Sequence, residues 1–177
     1  MSQIENLVKA YEQRVARDWN GQAAGPERIW IALYEPRDER RLRTQLTAFE
    51  LATTGAGHPW VVHDLTDAFA TWMAALEYQE AYFEAPEDLE LALDGFAAHV
   101  AQGVLEKLQN ADDRAVVALY GIGSLFGLTR VSRLLETVES KVRGRLLLFF
   151  PGEHEAGNLR LLDARDGWNY LAVIIRA

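Results

Sequence analysis

Cysteine is absent from the 177 residues of this chain. Its absence excludes a disulfide framework, a thiolate metal site and a cysteine nucleophile, and with them zinc fingers and cysteine proteases. The sequence also lacks an apolar run close to the roughly 20 residues that a membrane span needs. Its first residues do not have the pattern of a secretory leader. We therefore expect a cytoplasmic protein without membrane contacts.

Basic residues are scarce in the middle of the chain. Positions 51–113 carry twelve acidic side chains and one basic side chain, Lys107. The net charge of −8 originates there, since positions 1–50 balance and positions 114–177 are net basic. Because phosphate contacts need Lys and Arg, direct DNA contact is not expected. The acidic middle is either a solvated helix face or a surface for a basic partner.

Apolar patterning predicts alternating helices and strands. The runs RIWIALY, PWVVH, RAVVALY and RLLLFF predict buried strands at 28–34, 59–63, 114–120 and 145–150. Apolar residues at helical spacing predict helices at 2–19, 37–53, after Thr66, at 88–109 and at about 129–140. Residues 158–162 and 168–175, with Asp166-Gly167 as their turn, are typical of a closing hairpin.

This order of elements indicates an α/β fold. Strands joined by helices favour parallel pairing with helices on both faces of the sheet. We expect a single three-layer domain over residues 1–177, with a mostly parallel sheet and an antiparallel hairpin at its C-terminal edge. Two helices between the second and third strands exceed a minimal crossover, so residues 64–113 are predicted to be an acidic helical insertion.

One glycine-rich turn is a weak candidate for phosphate binding. Gly121 and Gly123 follow the third strand, where backbone N–H groups at a helix start can hold phosphate. Arg37 and Arg41, from the arginine-rich segment 37–43, and Arg130 are weak candidates for the same site. Neither the nucleoside-triphosphate loop nor the complete dinucleotide fingerprint is present. A tight turn against the sheet is therefore the favoured interpretation of both glycines. No cofactor is predicted.

No complete catalytic set is visible. Asp64, Glu153 and His154 follow strands and leave open a metal-dependent nuclease or hydrolase, although adjacent residues such as Glu153 and His154 seldom face one ion. Asp64, or Thr66 beside it, is more typical of a helix cap. Ser124 lacks the nucleophile-elbow spacing. We therefore expect neither an enzyme nor a metal site.

A partner surface is predicted on the acidic middle. Aromatic residues next to charge on an irregular surface are typical of interface hot spots, although the aromatic residues can also pack back on the domain. The candidate residues are Glu77, Tyr78, Glu80, Tyr82, Phe83, Glu84, Glu87, Asp88 and Glu90. A homodimer is left open.

Four segments in order resemble a known family. They are WIALYEPRDERRLRTQL at 30–46, HPWVVHDLTDAF at 58–69, VVALYGIGSLFGLTRVSRLLETV at 116–138 and LLLFFPGEHEAGNLRLLDARDGWNYLAVII at 146–175. This set resembles the BrxB family of BREX bacteriophage-exclusion systems. The chain departs from the family pattern at Phe126-Gly127, where members tend to have Tyr-Pro. It departs again at Leu171-Ala172, where Tyr-Arg tends to follow the final Asn-Tyr.

The resemblance implies a fold and a role. It implies an α/β sandwich similar to nucleotide-binding domains but without a working phosphate loop. It also implies a small intracellular component of a defence island that encodes a large ATPase, a DNA methyltransferase and PglZ. No catalytic activity is attached to the family. The expected role is a non-catalytic scaffold that binds PglZ and helps to assemble the defence and methylation machinery. A degenerate nucleotide- or phosphate-binding regulatory domain is the alternative.

Overall fold

The computed structural model describes residues 1–19, 21–155, 158–161, 164–165 and 172–177. Within these ranges the α-helices are α1 (Gln3–Val15), α2 (Glu39–Gly55), α3 (Ala68–Ala74), α4 (Gln79–Glu84), α5 (Leu93–Gln109) and α6 (Val131–Val138). The strands are β1 (Ile29–Tyr34), β2 (Trp60–Asp64), β3 (Val116–Tyr120), β4 (Arg145–Pro151), β5 (Glu153–Glu155), β6 (Asn158–Leu161), β7 (Ala164–Arg165) and β8 (Val173–Ile175). In these residues no helix is long and apolar enough to cross a bilayer.

The main sheet contains five parallel strands in the order β2-β3-β4-β1-β8. Strands β1 and β4 lie at its centre and are buried along their whole length. This burial on both faces explains the continuous apolar runs of these strands, because neither face is exposed to water. The α/β class and the mostly parallel sheet are therefore confirmed.

Helices cover both faces of the sheet. Alternate residues of β1 separate into two cores, with Trp30 in the core that contains α1 and α2, and Ile31 in the core that contains α3, α5 and α6. Helix α1 begins with a capping box, in which Ser2 Oγ accepts from the Glu5 backbone N–H at 3.2 Å and Glu5 Oε2 accepts from the Ser2 N–H at 2.6 Å. This box satisfies backbone donors that a helix start leaves free.

The C-terminal edge differs from the prediction of an antiparallel hairpin. Strand β8 joins the main sheet and pairs in parallel with β1, for example Ile31 with Ile174. The antiparallel pairs belong to a separate three-stranded sheet of β5, β6 and β7. In sequence, this small sheet lies between β4 and β8. The predicted Asp166-Gly167 turn and the Trp168 end of the predicted strand lie outside the described residues.

The segment between β2 and β3 contains a crossover helix and additional short helices. Helix α5 buries Phe96, Val100 and Val104 against the sheet, as a crossover helix does. Helices α3 and α4 and a 3₁₀ helix at Pro86–Ala92 precede it. The predicted helix over 88–109 is thus a 3₁₀ segment followed by α5. Leu91, in the 3₁₀ part, is 88% exposed and has no burial that would favour a continued α-helix.

Candidate functional site

A crevice opens at the carboxyl ends of β1, β3 and β4. Helix α2, which follows β1, packs on one face of the sheet, and α6, which follows β3, packs on the other. Open α/β sheets place ligands in the crevice between such diverging connections. The cavity measures about 360 Å³ and is lined by Pro36, Glu39, Arg43, Gly121, Gly123, Ser124 and Pro151. The structure therefore brings the predicted Gly121-Gly123 turn to the position where this class of fold binds ligands.

A hydrogen-bonded network occupies one wall of the crevice. Arg43 Nε donates to Glu39 Oε1 at 2.7 Å, and Arg43 Nη2 donates to Thr66 Oγ1 at 2.9 Å. The Tyr34 hydroxyl donates to the second carboxylate oxygen of Glu39. Burial and this bond to Glu39 raise the pKa of Tyr34, so that it remains a neutral donor. The guanidinium of Arg43 is therefore held between two side chains and paired with a carboxylate.

Asp64 extends the network at the end of β2. Its Oδ1 accepts from the Thr66 backbone N–H at 2.9 Å and from Thr66 Oγ1 at 2.5 Å. Burial raises its pKa, but the bonds from Thr66 and Tyr120 and the charge of Arg43 outweigh burial, and the net pKa is lowered. Asp64 is thus an ionised acceptor and a poor general base at neutral pH. Asp64 stabilises the turn at Thr66. The prediction that Asp64 or Thr66 caps the next helix is wrong, because α3 begins only at Ala68.

The glycine turn is shaped by this network. Gly121 adopts φ +77°, and a Cβ at this position would lie 2.6 Å from the Thr66 backbone nitrogen. The turn continues into a short 3₁₀ helix, Ile122–Leu125, and α6 begins only at Val131. The N–H groups of Ser124 and Phe126 donate to carbonyl oxygens within the turn, at Gly121 and Gly123. These two N–H groups are therefore already bonded and do not point freely into the crevice.

The predicted arginines are distributed differently. Arg43 is the arginine of segment 37–43 that lines the crevice. Arg37 instead pairs with Glu35 at 2.6 Å, and Arg41 pairs with Asp38 at 3.4 Å. Arg130 immediately precedes α6 and is exposed. With Glu39 and Asp64 both beside it, Arg43 does not give the crevice a net positive charge.

The metal candidates do not form one group. Glu153, His154 and Glu155 are consecutive residues of β5, so their side chains alternate between the two faces of the strand. His154 Nδ1 lies 3.2 Å from Arg176 Nη2, and burial and this cation lower the pKa of His154. Among the described residues, no three His, Asp or Glu side chains are arranged to hold a metal ion.

All but one of the predicted partner residues are exposed. We define the acidic surface as Glu77, Tyr78, Glu80, Phe83, Glu84, Glu87, Asp88, Glu90 and Leu91. All nine side chains are exposed, and Tyr78 and Phe83 are each 70% exposed. Its six carboxylates make no ion pair within the described ranges. Tyr82 differs, since it packs against the core. Leu91 was not predicted, because its position in an apolar pattern suggested a buried helix face.

Comparison with known proteins identifies the family. A family model described as BREX protein BrxB matches residues 64–174, which is more than half of the chain. The segment at 30–46 that also carries the resemblance lies outside this match. No curated protein and no solved structure matches the chain. The chain therefore belongs to the BrxB family, whose members are components of BREX phage-defence systems.

Proposed function

We propose that this chain is a non-catalytic interaction component of a BREX complex and that it binds its protein partner through the acidic surface. PglZ is the proposed partner, because the family resemblance implies it. The observation that carries the proposal combines six exposed carboxylates with three exposed apolar side chains, Tyr78, Phe83 and Leu91. In the described part of the chain, none of these carboxylates makes an ion pair.

This combination suits recognition of a basic surface. Large apolar side chains that become buried on binding supply much of an interface's affinity. Surrounding charges increase the association rate and exclude partners with the wrong charge. Scattered surface leucines or phenylalanines need no such explanation, whereas a cluster among like charges does. The acidic surface therefore offers both exposed apolar side chains and an electrostatic component.

The crevice supports the non-catalytic part of the proposal. Glu39 lines the crevice with the glycine turn, and Asp64 lies against Gly121. Both carboxylates accept hydrogen bonds from neighbouring side chains. A general base must instead be free to take a proton from a substrate. We infer that the crevice network mainly orders the loops at this end of the sheet.

Co-purification with PglZ tests the proposal. The chain and PglZ are co-expressed and analysed by size-exclusion chromatography, as wild type and as Glu80→Lys/Glu84→Lys/Glu87→Lys. The control is Glu12→Lys/Glu50→Lys/Glu136→Lys, which makes the same change in net charge at exposed positions of α1, α2 and α6. We expect co-elution of the wild type and of the control, and loss of the complex for the first variant. Equal co-elution of both variants would exclude this surface, and separate elution of the wild type would exclude PglZ.

A regulatory nucleotide- or phosphate-binding domain is the second candidate. The observation in its favour is the crevice itself, at the ligand-binding position of an open α/β sheet. A ligand of the folded state raises the melting temperature by mass action. ATP or GTP at millimolar concentration should then stabilise the wild type but not Arg43→Gln. An unchanged melting temperature of the wild type eliminates this candidate.

A further inference from the structure

A second cavity lies at the opposite edge of the main sheet, where the strands begin. It measures about 430 Å³, and its lining includes Trp19, His58, Arg28, Arg114, Arg143 and Arg145. We call these four arginines the basic rim. Asp113 also lines the cavity, so four arginines and one acidic residue contribute to its lining. This balance is unusual in a chain with a net charge of −8.

Strand register brings two of these arginines together. The β1–β4 pairing begins with Ile29 opposite Leu146. Arg28 and Arg145 each stand one residue earlier and therefore lie side by side at the sheet edge. The proximity has an electrostatic cost, since burial and the nearby charge of Arg28 both lower the pKa of Arg145.

Strand register also accounts for the positions of Arg114 and Arg143. In the β3–β4 pairing, Val116 is opposite Arg145. Arg114 and Arg143 stand two residues before these positions, in the segments that lead into the neighbouring strands β3 and β4. Gly144, next to Arg143, lies so close to Ala115, the residue before β3, that a Cβ would be 2.1 Å from the Ala115 carbonyl oxygen. The glycine therefore permits the close approach that brings the two arginines together.

Main-chain carbonyl groups hold all four guanidinium groups. The bonds run from Arg28 Nη1 to Val142 O at 2.9 Å, from Arg114 Nη2 to Gly57 O at 2.7 Å, from Arg143 Nη2 to Ala111 O at 2.5 Å and from Arg145 Nη1 to Gly144 O at 3.0 Å. Within the described ranges none of the four makes an ion pair with a carboxylate. Carbonyl groups orient a guanidinium without neutralising it, so the positive charge remains available to a ligand.

Arg145 forms the buried base of the basic rim. It is 7% exposed, and its guanidinium lies 4.6 Å from the centre of the Trp19 ring. Among the residues that the structure describes, its Nε has no hydrogen-bond partner. Trp19 in turn stacks on His58 with ring centres 3.6 Å apart and planes 4° apart. A buried cation beside like charges is destabilising unless an anion compensates it. An anion in the cavity would reduce this cost.

We propose that the basic rim binds the phosphate groups of an anionic ligand. Guanidinium groups bind phosphate oxygens in pairs of parallel hydrogen bonds, and several of them can share one diphosphate. The cavity volume lies in the range of small-molecule sites, which favours a free phosphate ester or diphosphate over an extended polymer. The phosphodiester backbone of DNA presents the same chemistry and is tested in parallel.

Titration with two probes tests this site. Inorganic pyrophosphate is titrated by calorimetry and a short DNA duplex by fluorescence anisotropy, both at low salt. The proteins are the wild type, Arg114→Gln/Arg143→Gln, the crevice variant Arg43→Gln and the control Lys9→Gln/Arg133→Gln. The control removes the same charge as the Arg114/Arg143 variant, but from α1 and α6. We expect the wild type and the control to bind pyrophosphate within about twofold of each other, and the Arg114/Arg143 variant at least about tenfold more weakly. In the wild type, pyrophosphate should also shift the indole N–H resonance of Trp19, assigned with Trp19→Phe.

The outcomes separate the two sources of phosphate. Binding of DNA alone, weakened in the Arg114/Arg143 variant, would support the phosphate site and identify the phosphodiester backbone as the source. The proposal is wrong if neither probe binds the wild type, or if binding is equally strong in the Arg114/Arg143 variant. Pyrophosphate binding that is lost only in Arg43→Gln would place the anion in the opposite crevice and also overturn it. None of these outcomes depends on PglZ, so the proposed function is tested separately.

Discussion

Gly121 shows how one residue links two loops of the crevice. Its φ of +77° is in the left-handed region, which costs a non-glycine residue roughly 1–2 kcal/mol. A side chain there would also contact the Thr66 backbone, which cannot move without breaking the hydrogen bonds to Asp64. The sequence predicts a tight turn at this glycine. It cannot predict the contact with Thr66, because the two residues meet only through the pairing of β2 with β3.

Gly121→Ala is therefore expected to destabilise the fold by about 2–4 kcal/mol, since conformational strain and backbone contact add. Gly127→Ala is the matched control, because Gly127 has φ +82° and open space around its Cα. Gly127→Ala should lower the free energy of unfolding only through the conformational strain, by about 1–2 kcal/mol. Chemical denaturation measures both free energies of unfolding. Equal losses in the two variants would show that the Thr66 contact is unimportant.

Asp64 makes the stability of the crevice depend on pH. Its pKa in the folded protein is below its ordinary value of 3.8, so ionised Asp64 stabilises the folded state. The contribution is complete above the ordinary pKa and disappears as the pH falls through the lower, folded-state pKa. Because the side chain is exposed, we expect no more than about 1 kcal/mol.

Asp64→Asn should accordingly be less stable than the wild type at pH 7, and the difference should shrink below about pH 4. Urea denaturation at several pH values measures it. Asp18→Asn is the control, because Asp18 is exposed and its carboxylate accepts no hydrogen bond in the described part of the chain. A stability difference for Asp64→Asn that is constant with pH would contradict the assigned role of the charge.

At the scale of elements, the segment before α5 contains neighbouring aromatic residues of which one is packed and the other exposed. Tyr82 and Phe83 are neighbours in α4, yet Tyr82 packs against the core and Phe83 is 70% exposed. The sequence predicts both as candidates and cannot distinguish them, because a helix of six residues is too short to show a reliable apolar stripe. The structure makes the distinction testable.

Phe83→Ala should weaken partner binding about tenfold and leave the melting temperature unchanged, because the ring contacts little in the free protein. Tyr82→Ala should instead lower the melting temperature. Leu51→Ala is the control for a non-specific loss of surface apolar area, since Leu51 is 66% exposed on α2. Binding to PglZ by calorimetry and melting by circular dichroism give the two readouts. A binding loss as large for Leu51→Ala would argue against a hot spot at Phe83.

The first residues of the predicted strands indicate a charged edge that the spacing of apolar residues does not reveal. Three of the predicted strand runs, RIWIALY, RAVVALY and RLLLFF, begin with arginine. In a parallel sheet all strands begin at one edge, so this pattern already indicates a positively charged edge. Which of these arginines are neighbours depends on strand order, and local patterns carry no information about order. The sequence therefore indicates a basic edge of the sheet, but it does not predict which arginines form the basic rim.

For the whole molecule, the class of fold could be predicted from the sequence, but the direction of the last strand of the main sheet could not. Buried apolar runs between helices specify parallel strands, because crossover helices cover both faces. Strand β8 runs parallel to β1, and the three strands of the small sheet, β5, β6 and β7, stand between β4 and β8 in sequence. For two strands that are close in sequence, an antiparallel hairpin is the simplest prediction. In the structure, the antiparallel pairs belong instead to the separate sheet of β5, β6 and β7.

The uneven charge of the molecule leads to the last prediction. The acidic surface and the basic rim belong to different parts of the chain, so a basic partner should be attracted to one and repelled by the other. Higher salt should therefore slow association with PglZ far more than it speeds dissociation. Glu80→Lys/Glu84→Lys/Glu87→Lys should slow association and remove most of its salt dependence, whereas Phe83→Ala should mainly speed dissociation. Surface plasmon resonance between low and physiological salt measures both rates. Association that is equally fast at all salt concentrations would show that the carboxylates of the acidic surface do not guide the partner to the chain.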